Sequence, residues 1–259
     1  MGYNTAVYPV LFALGPLRLY GYGAAIALGG VIGARLLWLR RAKMGLPNEE
    51  SFWALLNIAC LSGFLGGKLL FLMQYGLRAG LSVMNGYSAF GGFLSVPLAV
   101  FAYARWKKIP FLKLADYMFL SAFLWHAFGR LGCFLAGCCY GRPTDYPWGL
   151  VFRDARSMVP PELRGIPLHP VQLYEAVGIM ALCAVLWRIL RATEEGKVRP
   201  GLVVAGHFGG YGVLRFGLEY LRLDVLPFMG PFTQGQALGL CLIAASAGVL
   251  IWRSRCTPS

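Results

Sequence analysis

The chain alternates long apolar runs with short polar loops. Seven runs approach or exceed the roughly 20 apolar residues that a helix needs to cross a membrane. They cover residues 19–39, 52–75, 87–104, 111–130, 171–190, 201–222 and 235–252. The longest polar stretch, residues 131–170, predicts a small irregular cap outside the membrane, between the fourth and fifth helices. The pattern therefore predicts an all-α integral membrane fold, with residues 1–259 forming a single polytopic domain.

Composition supports this class and excludes others. Hydrophobic residues make up 58% of the 259 positions and charged residues only 14%, against about 25% in ordinary soluble domains. The first ten residues lack the basic region of a signal peptide, so we expect no cleaved leader. The net charge of +13 would suit nucleic acid in a soluble protein. Because no basic arm or RNA-binding motif accompanies it, we expect no nucleic-acid partner.

The positions of the cations predict the orientation. The loops on one side hold half of the 24 lysines and arginines, namely Arg40, Arg41, Lys43, Arg105, Lys107, Lys108, Arg188, Arg191, Lys197, Arg199, Arg253 and Arg255. The loops on the other side are longer in total and hold fewer, namely Arg18, Arg78, Arg142, Arg153, Arg156 and Arg164. Lysine and arginine accumulate on cytoplasmic loops. The N-terminus and the cap are therefore predicted to lie outside, and the C-terminus in the cytoplasm.

Several cations fall in the outer half of the predicted helices: Lys68, Arg130, Arg215 and Arg222. Cations inside a bilayer are costly, and they normally face a partner, a bundle interior or a ligand pathway. One explanation is ion pairing with Glu175 or Glu219, together with side chains that reach the interface. Because one carboxylate cannot neutralise four cations, we favour the other explanation, a polar cavity that binds an anion.

Polar residues of the sixth helix recur every three or four positions: His207, Tyr211, Arg215, Glu219 and Arg222. This spacing predicts one helix face. Such a face suits a phosphate, since arginine binds two of its oxygens and tyrosine donates to another; hydrogen bonding between helices is the alternative. More polar residues stand at the outer ends of the first and fifth helices: Tyr20, Tyr22, His169, Gln172, Tyr174 and Glu175. The expected ligand is an anionic phospholipid head group.

The chain has seven cysteines, an odd number that excludes a complete disulfide framework. Cys133, Cys138 and Cys139 form a cluster after the fourth helix. Zinc binding with His126, a disulfide and a covalent acceptor thiol are alternatives for this cluster, and packing of small side chains is the favoured interpretation. We therefore expect no metal site.

The motifs together resemble those of the prolipoprotein diacylglyceryl transferase family. The resemblance covers most of the chain through "YG", "GGKLLF", "FGG", "GRLG", "HPVQLYE", "YGVLRFGLEYLR" and "GQ". It implies an enzyme that transfers a diacylglyceryl group from phosphatidylglycerol to the lipobox cysteine of a lipoprotein precursor, forming a thioether and releasing glycerol phosphate. It also implies a location in the bacterial inner membrane with the active site toward the outer leaflet. The expected partners are phosphatidylglycerol, the precursor's signal peptide and membrane lipids; the expected state is a monomer without a cofactor.

The resemblance assigns roles to particular residues. Arg130 matches the arginine of the family's "GRxGN" signature and Arg215 the essential arginine of the "YGVLRFGLEYLR" stretch, and both are interpreted as phosphate clamps. Tyr20 and Tyr211 match the tyrosines of the family's motifs. His126, which is chosen for its position four residues before Arg130 and not for a family match, completes the predicted catalytic set. The predicted substrate-binding residues are Lys68, Phe90, Gly91, Gly92, His169, Gln172, Tyr174, Glu175, Glu219 and Arg222.

The chain departs from the family pattern at several positions. Phe90 stands where the family's "HGG" motif has the histidine proposed to act as the base, and Lys68 stands where an arginine is frequent. Cys133, Ala136 and Cys138 occupy positions where the family usually has Asn, Asn and Glu.

Two hypotheses remain open after these departures. The first is an active transferase in which His126, one turn below Arg130, supplies the base; His169 and His207 are the next candidates, and cations alone are a further alternative. The second is a relative that transfers a glycerolipid unit to another acceptor, or that binds or transports phospholipid without chemistry.

Overall fold

The computed structural model describes residues 9–15, 17–76, 86–223, 225 and 227–255. These residues form helices α1 Gly21–Arg40, α2 Glu49–Tyr75, α3 Ala89–Trp106, α4 Phe111–Ala136, α5 Val171–Glu194, α6 Leu202–Leu218 and α7 Gln234–Arg255. They also form strands β1 Val10–Leu14, β2 Leu17–Tyr20, β3 Leu150–Val151, β4 Pro167–Leu168, β5 Pro227–Met229 and β6 Phe232–Thr233. Each successive pair of strands makes a small antiparallel sheet. The predicted, mostly helical architecture is confirmed.

Five of these helices are long and apolar enough to cross a membrane: α1 with the turn after it (Gly21–Met44), α2, α4, α5 and α7. The other two are shorter, with 18 residues in α3 and 17 in α6. These lengths and hydropathies agree with an integral membrane protein.

Helix α4 extends six residues beyond the predicted end at residue 130. It ends at Ala136, where Gly137 adopts a left-handed conformation with φ of 75°. Two backbone hydrogen bonds close this end, from Cys138 N to Cys133 O and from Gly137 N to Phe134 O, both 3.1 Å. This pair of bonds is the Schellman motif, in which a glycine without a Cβ reverses the chain.

Helix α6 ends earlier than predicted. A 3₁₀ turn over Glu219–Leu221 follows Leu218, and Arg222 is extended, with φ of −80° and ψ of 147°. Arg222 forms a bridge with Gly141, and Arg142 N donates to Leu221 O at 2.9 Å. Because this pairing draws the backbone out of the helix, the prediction that Arg222 continues the face of α6 is wrong.

The chain divides into two compact units, residues 37–117 and residues 1–36 with 118–259. In residues 37–117, Asn48 caps α2 by accepting a hydrogen bond from Ser51 N at 2.9 Å. Helices α2 and α3 pack closely; Tyr87 OH donates to Gly63 O at 2.9 Å, and Ser95 Oγ to Ser62 O at 2.7 Å. Small residues at such a crossing let two backbones approach, which drives helix association in lipid.

The other unit contains β1, β2 and helices α5 to α7, with most of α1 and α4. Trp125 of α4 donates to Ile26 O of α1 at 2.8 Å. Helices α6 and α7 cross where Gly212 faces Gly239. The irregular chain after α4 has a small core of its own, formed by Phe152, Val159 and Leu168.

Candidate functional site

A buried ion pair joins α4 to α5. Arg130 Nη2 lies 3.0 Å from Glu175 Oε1, and Glu175 is fully buried. Tyr211 of α6 donates its hydroxyl to the same Oε1 at 2.7 Å and accepts from Arg130 Nη2 at 3.4 Å. Three helices thus meet in one network, which fixes the Arg130 guanidinium in position.

His126 holds the other edge of the same guanidinium. Arg130 Nε donates to His126 Nε2 at 3.2 Å, so Nε2 carries the lone pair and the ring proton is on Nδ1. The imidazole stacks edge-on against Tyr211, with ring centroids 4.9 Å apart. In this arrangement, His126 has no free lone pair for a substrate proton.

A second ion pair lies at the end of α6. Arg215 Nη2 is 2.9 Å from Glu219 Oε2. Glu219 Oε1 accepts from Thr233 Oγ1 at 2.7 Å and from Gly235 N at 3.2 Å. Arg215 Nη1 is buried and has no hydrogen-bond partner among the residues that the structure describes. One amino group of this guanidinium is therefore held by Glu219, while the other has unused hydrogen-bond donors within the described part of the chain.

The two ion pairs are electrostatically connected. The positive charge of Arg215 interacts electrostatically with both His126 and Tyr211, which belong to the Arg130 network. The structure pairs each arginine with its own carboxylate, so the sequence argument from an excess of cations does not hold for Arg130 and Arg215. Both arginines are instead held along one edge by a buried carboxylate.

The chain after α4 connects this site to the end of α6. Gly141 N donates to His169 O at 2.9 Å, while Arg142 Nε donates to Arg222 O at 3.1 Å. Arg222 is 7% exposed and acts electrostatically on Cys139. Arg222 therefore lies beside the cysteine cluster, although it is not on the helix.

The sulfur atoms of Cys133, Cys138 and Cys139 all lie within 4.8 Å of one another, and all three cysteines are free. Hydrogen bonds from the Cys133 and Cys138 thiols hold the pKa of the Cys139 thiol below its usual range. The positive charges of Arg222 and Arg130 also lower this pKa. The sequence analysis treated these cysteines as one cluster but did not predict the helix-end geometry that brings their thiols together. The glycine four positions after Cys133 was the available signal, because a Schellman motif joins residues five apart.

Three other predicted residues, at or just before the start of α5, make separate contacts. His169 Nδ1 lies 3.3 Å from Tyr174 OH, and its ring is 5.8 Å from that of Tyr146. Gln172 Nε2 donates to Cys138 O at 2.6 Å. Gln172 therefore fixes the turn that carries the cysteines, while His169 and Tyr174 pair with each other.

Of the two tyrosines near the start of α1, the structure brings Tyr22 to the site. Tyr20 ends β2 and is 53% exposed. Tyr22 lies against Gly132 of α4 and interacts electrostatically with Arg130 and Cys133. Both are followed by glycine, so the "YG" motif did not distinguish them; the catalytic role of Tyr20 stays a prediction.

Lys68, Phe90, Gly91 and Gly92 belong to the unit of residues 37–117. Phe90 is 61% exposed, whereas Gly91 and Gly92 are buried. A side chain at Gly91 would collide with the backbone of Gly66 in α2. The glycines therefore serve the packing of α2 on α3, and a role of these four residues in substrate binding stays a prediction.

An open apolar groove of about 400 Å³ lies between α4 and α5. Its walls come from residues 127–131 of α4 and 176–181 of α5, on the helices that carry Arg130 and Glu175: Ala127, Phe128, Leu131, Ala176, Val177, Met180 and Ala181. A surface of this kind suits an alkyl chain, because burying apolar area contributes about 0.8 kcal/mol per methylene.

Replacing Gly235 with alanine is expected to displace the Glu219 carboxylate, because a Cβ at Gly235 would collide with it. Such overpacking costs about 1–3 kcal/mol, so the unfolding temperature in detergent should fall. Gly248→Ala on the same helix is the control: nothing lies within 4 Å of its added methyl group, and alanine favours a helix by about 0.5–1 kcal/mol. Equal unfolding temperatures for the two variants would refute this role of Gly235.

Similarity to known proteins extends over nearly the whole chain. The model of the family described as "Prolipoprotein diacylglyceryl transferase" matches residues 9–252. The chain is similar to the phosphatidylglycerol–prolipoprotein diacylglyceryl transferase of Clostridium tetani, with 35% identity over 242 residues, 91% of this chain and 93% of the relative. It is equally similar to the protein of that name from Geobacter sulfurreducens, with 35% identity over 269 residues, 96% of this chain and 97% of the relative. The chain belongs to the prolipoprotein diacylglyceryl transferase family.

Proposed function

We propose that this protein transfers a diacylglyceryl group from phosphatidylglycerol to the thiol of the lipobox cysteine in a lipoprotein precursor. The family match over residues 9–252 carries the proposal. The names of the similar proteins include both phosphatidylglycerol and prolipoprotein. The buried network of Arg130, Glu175 and Tyr211 is the chemical feature of this chain that suits the reaction.

In the proposed reaction, the sulfur of the acceptor thiolate attacks the glyceryl carbon that bears the phosphate ester. A carbon–sulfur bond forms as the carbon–oxygen bond breaks, and the electron pair goes to the phosphate oxygen of the departing glycerol phosphate. The proton of the thiol leaves to an acceptor before or during the attack. Negative charge thus moves from sulfur to phosphate, and fixed cations beside both groups stabilise that transfer.

The two arginines supply those cations. Arg215 Nη1 is buried and unpaired among the described residues, so it can donate to a phosphate oxygen without releasing Glu219. The side chain of Arg130 is only 17% exposed and is held by His126 and Glu175. Because both guanidinium groups are already oriented, little reorganisation is needed during the reaction. A nearby guanidinium also favours the thiolate form of the acceptor.

The groove between α4 and α5 is the proposed place for an acyl chain of the donor. Its apolar walls begin at Leu131 and Ala176, the residues that follow Arg130 and Glu175 in the chain, and continue along both helices. An acyl chain lying there would bring its glyceryl group close to the Arg130 guanidinium. Lateral access of this kind also suits an acceptor that arrives on a signal peptide in the same membrane.

We further propose seven membrane crossings by α1 to α7, in one domain of residues 1–259, in the bacterial inner membrane. The N-terminus and the cap, which begins after Ala136 and ends at residue 170, would lie outside, the C-terminus in the cytoplasm, and the site toward the outer leaflet. The positive-inside distribution of lysine and arginine supports this orientation. Alkaline phosphatase is active only outside the cytoplasm. A fusion after Arg156 should therefore be active, and a fusion after Lys197 should be inactive. The opposite pattern would exclude this topology.

The direct test combines the purified protein, phosphatidylglycerol vesicles and a lipobox peptide, and follows the thioether product by mass spectrometry. Product is expected with the cysteine peptide and absent with a peptide that has serine at that position. The protein is expected to act as a monomer, which light scattering in detergent measures on the same sample. Binding of phosphatidylglycerol without product would replace transfer by lipid binding as the function.

His126 is proposed to position Arg130 rather than to accept the proton, because Arg130 Nε occupies its lone pair. Glu175 Oε2, which is buried without a hydrogen-bond partner among the described residues, is the free acceptor of the network. His126→Gln keeps an oxygen that can accept from Arg130, so it should retain most of kcat with an unchanged pH profile. His126→Ala should lose roughly tenfold. A general base contributes about 10²–10⁴-fold; an equal loss of that size in both variants would restore His126 as the base.

A further inference from the structure

We propose that Cys133, Cys138 and Cys139 bind one soft metal ion, Cu(I), through three sulfur atoms. The starting observation is that the three sulfurs lie within 4.8 Å of one another next to the last turn of α4. Three thiolates that share an ion at about 2.3 Å are separated from each other by about 3.8–4.0 Å. The widest pair therefore needs to close by at most about 1 Å, which side-chain rotation can supply.

The helix end explains why two of the thiols meet. In a Schellman motif the side chains of the first and sixth residues are brought into contact, and they are usually apolar. Here those residues are Cys133 and Cys138, joined by the bond from Cys138 N to Cys133 O. The Sγ of Cys138 also lies 3.7 Å from Cys133 O. A motif that normally stabilises a helix end with an apolar contact presents two sulfur ligands instead.

The third thiol is held there against a backbone preference. Cys139 has φ of 59°, in the left-handed region, which costs a residue with a Cβ about 1–2 kcal/mol. Gln172 fixes the preceding carbonyl, since its Nε2 donates to Cys138 O at 2.6 Å. An unfavourable conformation maintained by a buried side chain is typical of functional positions. A turn fixed to α5 in this way presents its ligands with little freedom to lose on binding.

The number and type of ligands favour Cu(I). No histidine, aspartate or glutamate within the described ranges joins the three sulfurs as a fourth ligand. Structural zinc is almost always bound by four ligands, whereas soft thiolates select Cu(I), for which three are sufficient. Cu(I) with three thiolates carries two negative charges. Arg130 and Arg222 both act electrostatically on Cys139, so two guanidinium groups are in place to balance them.

The test is a titration of the reduced, full-length protein in detergent with Cu(I), under anaerobic conditions and against a chelator of known affinity. One equivalent per chain is expected, with X-ray absorption showing three sulfur neighbours at about 2.2–2.3 Å. The matched background replaces the four cysteines outside the cluster, Cys60, Cys183, Cys241 and Cys256, with serine. That variant should bind one equivalent as tightly as the native chain.

In the same background, Cys138→Ser and Cys139→Ser should each weaken Cu(I) binding by more than about 100-fold. Losing a residue that only hydrogen-bonds to a metal ligand already weakens binding by up to about 100-fold, and losing the ligand itself should cost more. The proposal is overturned if the background variant unfolds at the native temperature yet binds no Cu(I), or if either serine variant binds unchanged. If the background variant does not fold, absorption spectra of the native chain decide, and nitrogen or oxygen neighbours would refute a three-sulfur site. Zn²⁺, titrated under the same conditions, is expected to bind more weakly than Cu(I). Zinc binding tighter than that of Cu(I) would overturn the assignment to Cu(I).

Discussion

Replacing Arg130 with alanine is expected to lower kcat/KM for diacylglyceryl transfer by about 10²–10³-fold, the usual effect of losing one group that stabilises developing charge. The variant should also be less stable. Arg130 neutralises Glu175, which is fully buried, and removing one partner of a buried pair costs about 3–5 kcal/mol. Product formation by mass spectrometry and the unfolding temperature in detergent measure the two effects.

The double variant Arg130→Met with Glu175→Gln separates the two effects. Replacing a buried pair by neutral groups of similar volume is often neutral for stability. The amide oxygen introduced by Glu175→Gln can still accept from the Tyr211 hydroxyl, which donates to Glu175 Oε1 in the native chain. The double variant should therefore unfold near the native temperature and remain inactive, since it lacks both the Arg130 cation and the proposed proton acceptor Glu175. Recovery of more than a tenth of the native rate would show that Arg130 acts on stability alone.

Replacing Arg215 with lysine is expected to lower kcat/KM by about 10²-fold or more even though the charge is kept. A guanidinium can hold Glu219 with Nη2 and still offer Nη1 to a phosphate. A lysine ammonium is a compact point charge without this planar fork, so it cannot reproduce both contacts in the same geometry. The loss should appear in kcat, because the missing contact strengthens as the phosphate leaves.

Arg156→Lys is the matched control for this substitution. Arg156 is also paired with a carboxylate, at 2.7 Å from Asp154 Oδ2, but its side chain is 57% exposed. Exposed pairs contribute about 0–1 kcal/mol, so neither activity nor unfolding temperature should change. Full activity of Arg215→Lys would show that position 215 needs only a positive charge.

Hydrophobic length predicted the helices well, because apolar runs of membrane length have few alternatives to a helix. Helix α5 begins at Val171, as predicted. The errors lie at ends set by tertiary contacts. Helix α4 continues to Ala136 because the apolar residues after Arg130, "LGCFLA", end only at Gly137. Helix α6 ends at Leu218 because the backbone of Arg222 pairs with Gly141, about 80 positions earlier in the chain, and periodicity contains no such information.

The members of the site were more predictable than their arrangement. Arg130, Arg215 and Tyr211 were identified from cations and phenols at one membrane depth, and Glu175 from its polarity at the start of α5. The four-residue spacing of Arg215 and Glu219 was visible in the sequence. Sequence could not assign Arg130 to Glu175, since this pair joins separate helices. It also could not place Tyr22 rather than Tyr20 beside Arg130, which depends on the contact of α1 with Gly132.

The ion pair between Arg130 and Glu175 also constrains how the chain is made. The two residues enter the membrane on different helices, separated by the whole irregular segment after α4. Either charge alone inside a membrane helix disfavours insertion by the translocon, by up to about 2.5–3.5 kcal/mol at the helix centre. Joint insertion of α4 and α5 as a hairpin neutralises both charges at once. Biosynthesis is therefore expected to hold α4 at the translocon until α5 arrives, and α4 expressed without α5 should insert less efficiently than its Arg130→Leu variant.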